Sequence, residues 1–390
     1  MDKQQRIYLD WNATTPLKDE VLAEMLPFLR DQYGNPSSTH WWGQQARRAI
    51  DRSRRAIAKA LGCRQGEITF LSGGTEANNL ALRGLVDCDE PKKSHIITSA
   101  IEHPCILATA KSLEATGVDV DYVPVDALGH VRLDKLERLL RPNTALVSIM
   151  LANNDVGTIQ PIKDLSKIVR EKAPHAKIHS DAVQAIGKIP VQLDELDVDM
   201  MSISAHKLCG PKGVGCLYVR QGITLTPQIT GGGQELRRRS GTENVCGIVG
   251  LGSAMTAAVD AVGDYQSDVS HLRDQLFQLI SDGVNGDVVR HGPTDETVLP
   301  NTLSLAFQGL DSLSLLVNLD LEGIAVSSGS ACSSGRVDPS HVLSAMGVAP
   351  ELAMSTLRLS LGCYTSSDDI TRAGSCIAKV VNRLRETRRS

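Results

Sequence analysis

The chain has 390 residues, 42% hydrophobic and 22% charged, enough to bury a large core in one bigger and one smaller domain. Its formal charge of −4 gives no overall attraction to nucleic acid or to anionic lipid, so neither is expected as a partner. No apolar run approaches bilayer length and the first ten residues carry no leader pattern, so a cytoplasmic, membrane-free protein is expected. Nine cysteines, an odd number without Cys-x-x-Cys spacing, argue against a disulfide framework and a zinc site. Most read as small buried hydrophobes.

In chain order, residues 67–71 read as a strand, followed by the turn Ser72-Gly-Gly-Thr-Glu76 and a helix beginning near Ala77. Further strands are predicted at 95–99, 118–124, 145–151, 176–179 and 200–204, with helical segments at 106–116, 135–140 and 164–172 between them. This alternation predicts an α/β layer with a mainly parallel sheet, and 213–220 adds a strand expected to run antiparallel. Beyond about residue 260 the rhythm changes to a helix at 268–282, a strand at 303–307, a helix at 312–321 and a strand at 357–361. A last helix opens with the capping box Ser366-Ser-Asp-Asp369, and Ile370, Ala373, Ile377, Val381 and Leu384 form its apolar stripe. These elements predict a smaller α+β domain.

Several residues share one chemical theme. Lys207, in Ser204-Ala-His-Lys207, follows an apolar strand, where α/β proteins build their sites. A lysine held there can lose its charge and act as a nucleophile toward an aldehyde. Asp181 follows another strand and can pair with a protonated pyridine nitrogen, and Gln184 can reach a ring hydroxyl. The Ser72–Thr75 turn, opening a helix, suits a phosphate, with Ser204 and His206 as further donors. His103, in Ile-Glu-His-Pro-Cys, can lie against a ring and serve as acid or base. Cys332 stands in a Ser/Gly-rich stretch suited to a moving loop. Each alone has an ordinary structural explanation; together they point to a pyridoxal-phosphate enzyme that moves sulfur.

The chain resembles the cysteine desulfurases, NifS/IscS-like members of the class V aminotransferase group with the aspartate-aminotransferase-like, fold-type I architecture. The motifs run nearly end to end, among them Tyr8-Leu-Asp-Trp-Asn-Ala-Thr-Thr-Pro16, Ser72-Gly-Gly-Thr-Glu76, Ala152-Asn-Asn-Asp-Val-Gly157, Asp181-Ala-Val-Gln184, Arg239-Ser-Gly-Thr-Glu-Asn244 and Ser327-Ser-Gly-Ser-Ala-Cys-Ser-Ser-Gly335. The resemblance implies a large cofactor-binding domain at 16–260 and a small domain from 1–15 and 261–390. It implies that Lys207 carries pyridoxal 5'-phosphate, that Asp181 and Gln184 contact its ring, and that His103 stacks on it. Gly74, Thr75, Ser204 and His206 would hold the phosphate, joined by Thr242 from the second subunit of a homodimer. Asn153 and Arg358 match the positions that receive the carboxylate of L-cysteine, and Cys332 matches the sulfur-accepting cysteine of the long-loop subgroup. No resident metal is implied beyond a transient iron–sulfur contact through Cys332.

The implied reaction turns L-cysteine into L-alanine and leaves a persulfide on Cys332 for an iron–sulfur scaffold or another acceptor protein. An aminotransferase or β-lyase would share Lys207 and Asp181 without needing Cys332, and a selenocysteine lyase would differ in substrate preference. A dinucleotide-binding oxidoreductase lacks its Gly-x-Gly-x-x-Gly after the first strand. Asp155 stands where relatives usually carry Glu, and the tail lacks the extension by which some relatives meet scaffold proteins.

Overall fold

The computed structural model describes residues 6–86, 94–329, 331–333 and 336–389, without the side chains of 331–333, 336, 337 and 389. After a short strand β1 (Ile7–Tyr8), seven strands form the main sheet: β2 (Ile68–Leu71), β3 (His95–Ser99), β4 (Asp119–Val123), β5 (Thr144–Ser148), β6 (Lys177–Asp181), β7 (Met200–Ser204) and β8 (Gly215–Val219). Their order is β2-β8-β7-β6-β5-β3-β4. Only β8 runs against its neighbours in this sheet, as anticipated, and the other pairs are parallel. The carboxyl ends of β2, β3, β5, β6 and β7 therefore share one edge, the place where open α/β sheets bind ligands. Ile96, Ile97, Val147, Ile178 and Met201 are buried, as expected of parallel strands covered on both faces.

The helix expected near Ala77 begins at Gly74, so the Gly-Gly turn itself supplies its first residues. Helices Trp41–Leu61 and Val245–Asp260 were not legible in the sequence. The second is buried on much of its circumference and presents no polar face to set against an apolar one. The two pack closely at Gly252, where a Cβ would lie 2.8 Å from that of Ser53.

Beyond these lie β9 (Val288–His291), β10 (Thr302–Phe307), β11 (Ile324–Ala325), the hairpin β12 (Ala331–Ser333) and β13 (Arg336–Asp338), and β14 (Thr356–Ser360). A three-stranded antiparallel sheet runs β14-β10-β9; β10 and β14 were anticipated, β9 was not. The N-terminal segment acts as a strap: β1 pairs in parallel with β11, and Asp10 bridges to Ser360. Ile7 and Leu9 join Val269, Leu276, Phe307, Leu357 and Ile377 in one apolar cluster, apart from the cluster under the main sheet. The capping box of the last helix is present, with Asp369 accepting from the Ser366 N–H at 3.0 Å and Ser366 Oγ accepting from the Asp369 N–H at 3.1 Å.

The loop that carries Thr242 is fixed to the edge of the sheet by a buried ion pair. Arg54 donates from Nη2 to Glu235 Oε1 at 2.6 Å and from Nη1 to Oε2 at 2.9 Å, and the Phe70 N–H donates to the same Oε2 at 2.8 Å. Glu235, Leu236 and Arg237 hold left-handed φ of 47°, 59° and 64°, a conformation that needs such an anchor. Glu235→Ala would leave the Arg54 guanidinium buried and unpaired, and is expected to cost about 3–5 kcal/mol, read as a lowered urea midpoint. An unchanged midpoint would show that the pair does not hold this loop.

Candidate active site

A cavity of about 270 Å³ opens at the carboxyl edge, and its lining includes Gly74, Thr75, His103, Asp181, Gln184, Ser204, His206 and Lys207. These residues come from four strand ends, so sheet topology brings them together. Lys207 closes the single 3-10 turn Ala205–Lys207 that follows β7. Its Nζ donates to the carbonyls of Asn12 at 2.5 Å and Ala13 at 2.7 Å. Burial, with the Arg358 charge nearby, pushes its amine down to about 8, while Asp10 and Asp181 pull the other way.

Asp181 ends β6 and is buried. Its Oδ2 accepts from Asn78 Nδ2 at 2.6 Å and its Oδ1 from the Val183 N–H at 2.9 Å, both neutral donors. Asn78 also lines the cavity, and its Oδ1 is buried without a hydrogen-bond partner. His103 caps helix Pro104–Glu114 and accepts on Nδ1 from the Cys105 N–H at 3.2 Å, so the neutral ring carries its proton on Nε2. The residue is exposed and lines the cavity; desolvation lowers its pKa and Lys207 adds to this, while the Asp181 charge opposes it.

Gly74 and Thr75 open helix Gly74–Leu85, whose first-turn N–H groups have no intrahelical acceptors and sit at the positive end of its dipole. A Cβ at Gly74 would come within 2.9 Å of Val183 Cγ2, so only glycine lets the helix start approach the end of β6 this closely. His206 is pushed down to about 4 by burial and by Lys207 and Lys212, and its Nδ1 meets Thr14 Oγ1 at 3.1 Å. Gln184 donates to the Asn12 carbonyl at 2.9 Å and accepts from Lys188 at 2.6 Å. A carboxylate, an orphaned amide oxygen, an amine and a helix start around one cavity fit a phosphorylated pyridine aldehyde.

The remaining expected residues fall elsewhere. Asn153 does not line the cavity: its Nδ2 donates to the Ile101 carbonyl at 3.0 Å and its Oδ1 accepts from the N–H groups of Asp155 and Val156, so it pins its own turn. The neighbouring Asn154 lines the cavity instead, and the expectation for Asn153 is corrected to it. Arg358, on β14, is buried outside that lining; it donates to Asp10 Oδ1 at 2.8 Å and Asp155 Oδ1 at 3.4 Å, and its Nε has no partner. Thr242 is exposed and lines a separate cavity beside Glu235 and Arg239. Cys332 lies in β12, paired with Val337, and its side chain lies outside the described residues.

Two residues were missed as separate actors. Asn12 had been noted only within its motif, and Lys188 not at all; only the folded chain places both beside Gln184 and Lys207. Glu102, next to His103, is fully buried. It accepts on Oε1 from Ser99 Oγ at 2.6 Å and the Met150 N–H at 2.9 Å, and its Oε2 has no partner.

The fold and this cavity define a fold-type I pyridoxal-phosphate enzyme. Residues 7–373 match the aminotransferase class-V family. The chain is 46% identical over 382 residues to the cysteine desulfurase IscS of Dictyoglomus turgidum, covering 98% of this chain and 96% of that one. It is 42% identical to the cysteine desulfurase IscS of Methanosarcina thermophila, covering 98% and 94%. A solved NifS-like protein superimposes with a TM-score of 0.90 at 42% identity, covering 98% of this chain and all of that one. A structure of SspA in complex with cysteine superimposes at 0.81 and 37% identity, covering 92% and 100%. The chain belongs to the aminotransferase class-V family, in its cysteine desulfurase branch, whose cofactor is pyridoxal phosphate.

Uptake of an aldehyde by Lys207 needs the neutral amine. The rate at which apoprotein takes up pyridoxal phosphate, followed in the visible spectrum, is expected to rise with pH and level off above about 8. A rate still climbing at pH 10 or above would mark an ordinary solvated amine, whose pKa is about 10.4. Glu102 is pushed up to about 8 by burial, with the Asp181 charge adding to this. Folding favours its protonated form, so that stabilisation is complete below the ordinary carboxylate range and is lost as pH rises through about 8. Glu102→Gln is therefore expected to exceed the parent protein in stability at pH 9 by about 2–4 kcal/mol and to differ little at pH 5, as read from urea midpoints.

Proposed function

We propose that this chain is a pyridoxal-phosphate-dependent cysteine desulfurase that turns L-cysteine and a Cys332 thiol into L-alanine and a Cys332 persulfide. The observation that carries this reading is the convergence of Lys207, Asp181 and the Gly74–Leu85 helix start on one cavity. When bound, the cofactor supplies an electron sink that eases loss of the Cα proton and weakens the C–S bond. Lys207, with its depressed pKa, takes the proton from Cα and returns one. Asp181 keeps a proton on the pyridine nitrogen. Neutral His103, which lines the cavity, would meet the ring and exchange protons through Nε2. Gly74, Thr75, Ser204 and His206 hold the phosphate.

Arg358 receives the substrate carboxylate in exchange for its contacts with Asp10 and Asp155, and Asn154 assists. The shorter Asp155 accepts from Ser340 Oγ at 3.0 Å as well as from the arginine, which supports a role in holding Arg358 ready. Cys332 attacks the substrate sulfur as a thiolate; its sulfur then passes to an iron–sulfur scaffold or another acceptor protein.

A homodimer completes the phosphate site through Thr242 of the partner subunit. Its exposure and its distance from the Lys207 cavity in its own chain support this, as does the exposed aromatic group of Tyr33, Trp41 and Trp42. The division into 16–260 and 1–15 with 261–390 is supported by the packing of Ile7 and Leu9 against residues 269–381. No single helix among the described residues is long and apolar enough to cross a membrane. The described cysteines are unpaired, which suits the reducing cytoplasm.

Cys332→Ala is expected to give a yellow protein that binds cofactor and L-cysteine but forms no persulfide, while Lys207→Ala loses cofactor fixation by borohydride. Keto acid in place of alanine would identify an aminotransferase instead, and undiminished desulfurase turnover in Cys332→Ala would remove that cysteine from the mechanism.

A further inference from the structure

Two thiols outside this machinery meet beside the Lys207 turn. Cys209, two residues after Lys207, holds a left-handed φ of 57°. Its N–H donates to Thr15 Oγ1 at 2.9 Å and its carbonyl accepts from the Lys18 N–H at 3.1 Å, so its backbone is fixed. Cys363 lies between β14 and helix Ser367–Arg389. Although 154 positions separate them, the two Sγ atoms are 3.9 Å apart. Cys209 is buried and Cys363 is exposed, so an oxidant in solution reaches the pair from the Cys363 side.

Both thiols line a narrow cavity of about 60 Å³ shared with Lys18, Lys188 and Lys207. The hydrogen bond with Cys363 holds the Cys209 thiol down to about 7, outweighing the effect of burial, and Thr15, Lys18 and Lys188 add to it. Cys363 is raised in turn, chiefly by the same hydrogen bond. Two sulfurs this close, one buried and one exposed, have the arrangement of a reactive cysteine with a resolving neighbour. Neither residue takes part in the desulfurase reaction described above.

We infer that Cys209 and Cys363 form a reversible redox site that a hydroperoxide closes to a disulfide, tying the Lys207 turn to the segment preceding the C-terminal helix. The Cys209 thiolate attacks the peroxide: an S–O bond forms, the O–O bond breaks, and the departing oxygen takes a proton to leave as water or an alcohol. Cys363 then attacks the sulfenic sulfur, forming the S–S bond as the S–O bond breaks and water departs. The two thiols lose two electrons and two protons in all, and the peroxide is reduced by the same amount. A disulfide requires the sulfurs to approach to about 2.05 Å, so closure must shift one or both turns. Movement of the Cys209 turn shifts the backbone of Lys207, two residues away, and oxidised enzyme is expected to turn over several-fold more slowly.

The test uses the holoenzyme, one equivalent of hydrogen peroxide, alkylation of remaining thiols, and mass spectrometry of a digest made without reductant. A peptide pair joined through Cys209 and Cys363, two hydrogens lighter than the separate peptides and released by dithiothreitol, is expected. Turnover should fall with its appearance and return on reduction. In Cys363→Ser the cross-link is absent and Cys209 accumulates sulfenic or sulfinic acid, with turnover before oxidation unchanged. Recovery of both cysteines alkylated after peroxide, or of Cys209 joined to another cysteine, would overturn the proposal. Because the cross-link is read directly, the result does not depend on which reaction the enzyme performs.

Discussion

Two backbone carbonyls of the N-terminal strap, those of Asn12 and Ala13, hold the Lys207 amine, and most of the site depends on the position of that strap. Asn12 is its fastening point. Its carbonyl also accepts from Gln184, its Oδ1 accepts from Lys188 at 2.9 Å and Asn301 at 3.0 Å, and its Nδ2 donates to the Asn154 carbonyl and to Thr302 Oγ1. Its own N–H donates to Ser360 Oγ at 2.9 Å. One asparagine therefore aligns the amine, Gln184 and the loop bearing Asn154. It can do so because an amide side chain and a peptide unit together offer donors and acceptors in several directions.

Burial decides the protonation pattern around this centre. Glu102 is raised, His103 and His206 are lowered, and buried Lys188 is held well below the lysine range by desolvation, with the charges of Lys207 and Arg358 adding to it. Every one of these shifts favours the neutral form. The proposed reaction draws on few charges: Asp181, which lines the cavity, toward the ring nitrogen, and Arg358 toward the substrate carboxylate. In a poorly screened interior such charges act strongly on what binds next to them.

The sequence made the sheet legible because its strands are short apolar runs bounded by polar turns, and topology then placed the residues at their ends. Lys207, Asp181, His103 and the Gly74 turn follow such strands and line one cavity, though each taken singly in the sequence has an ordinary structural explanation. Asn153 and Asn154 could not be told apart that way, since adjacent residues in a tight turn point in different directions and only the hydrogen bonds reveal which one faces inward. The clasp of Arg358 by Asp10 and Asp155 joins positions hundreds of residues apart and leaves no local trace. Helix Val245–Asp260 escaped because burial on most sides erases the periodicity by which helices are read. The thiol pair at 209 and 363 escaped because each member, taken singly, reads as an ordinary small apolar residue.

The strap also fixes when the enzyme becomes competent during its own synthesis. Strands between residues 68 and 219 can assemble as they leave the ribosome, with Lys207 already at the end of its strand. The Ile7 and Leu9 N–H groups, however, donate to the carbonyls of Gly323 and Ala325, and Asn12 is tied to Ser360, 348 positions away. Until those late segments emerge, Ile7, Leu9 and the Asn12 N–H lack these partners, although the Asn12 carbonyl and side chain can already meet Gln184 and Lys188. The strap that holds Lys207 is thus seated fully only when the strand Thr356–Ser360 has been made.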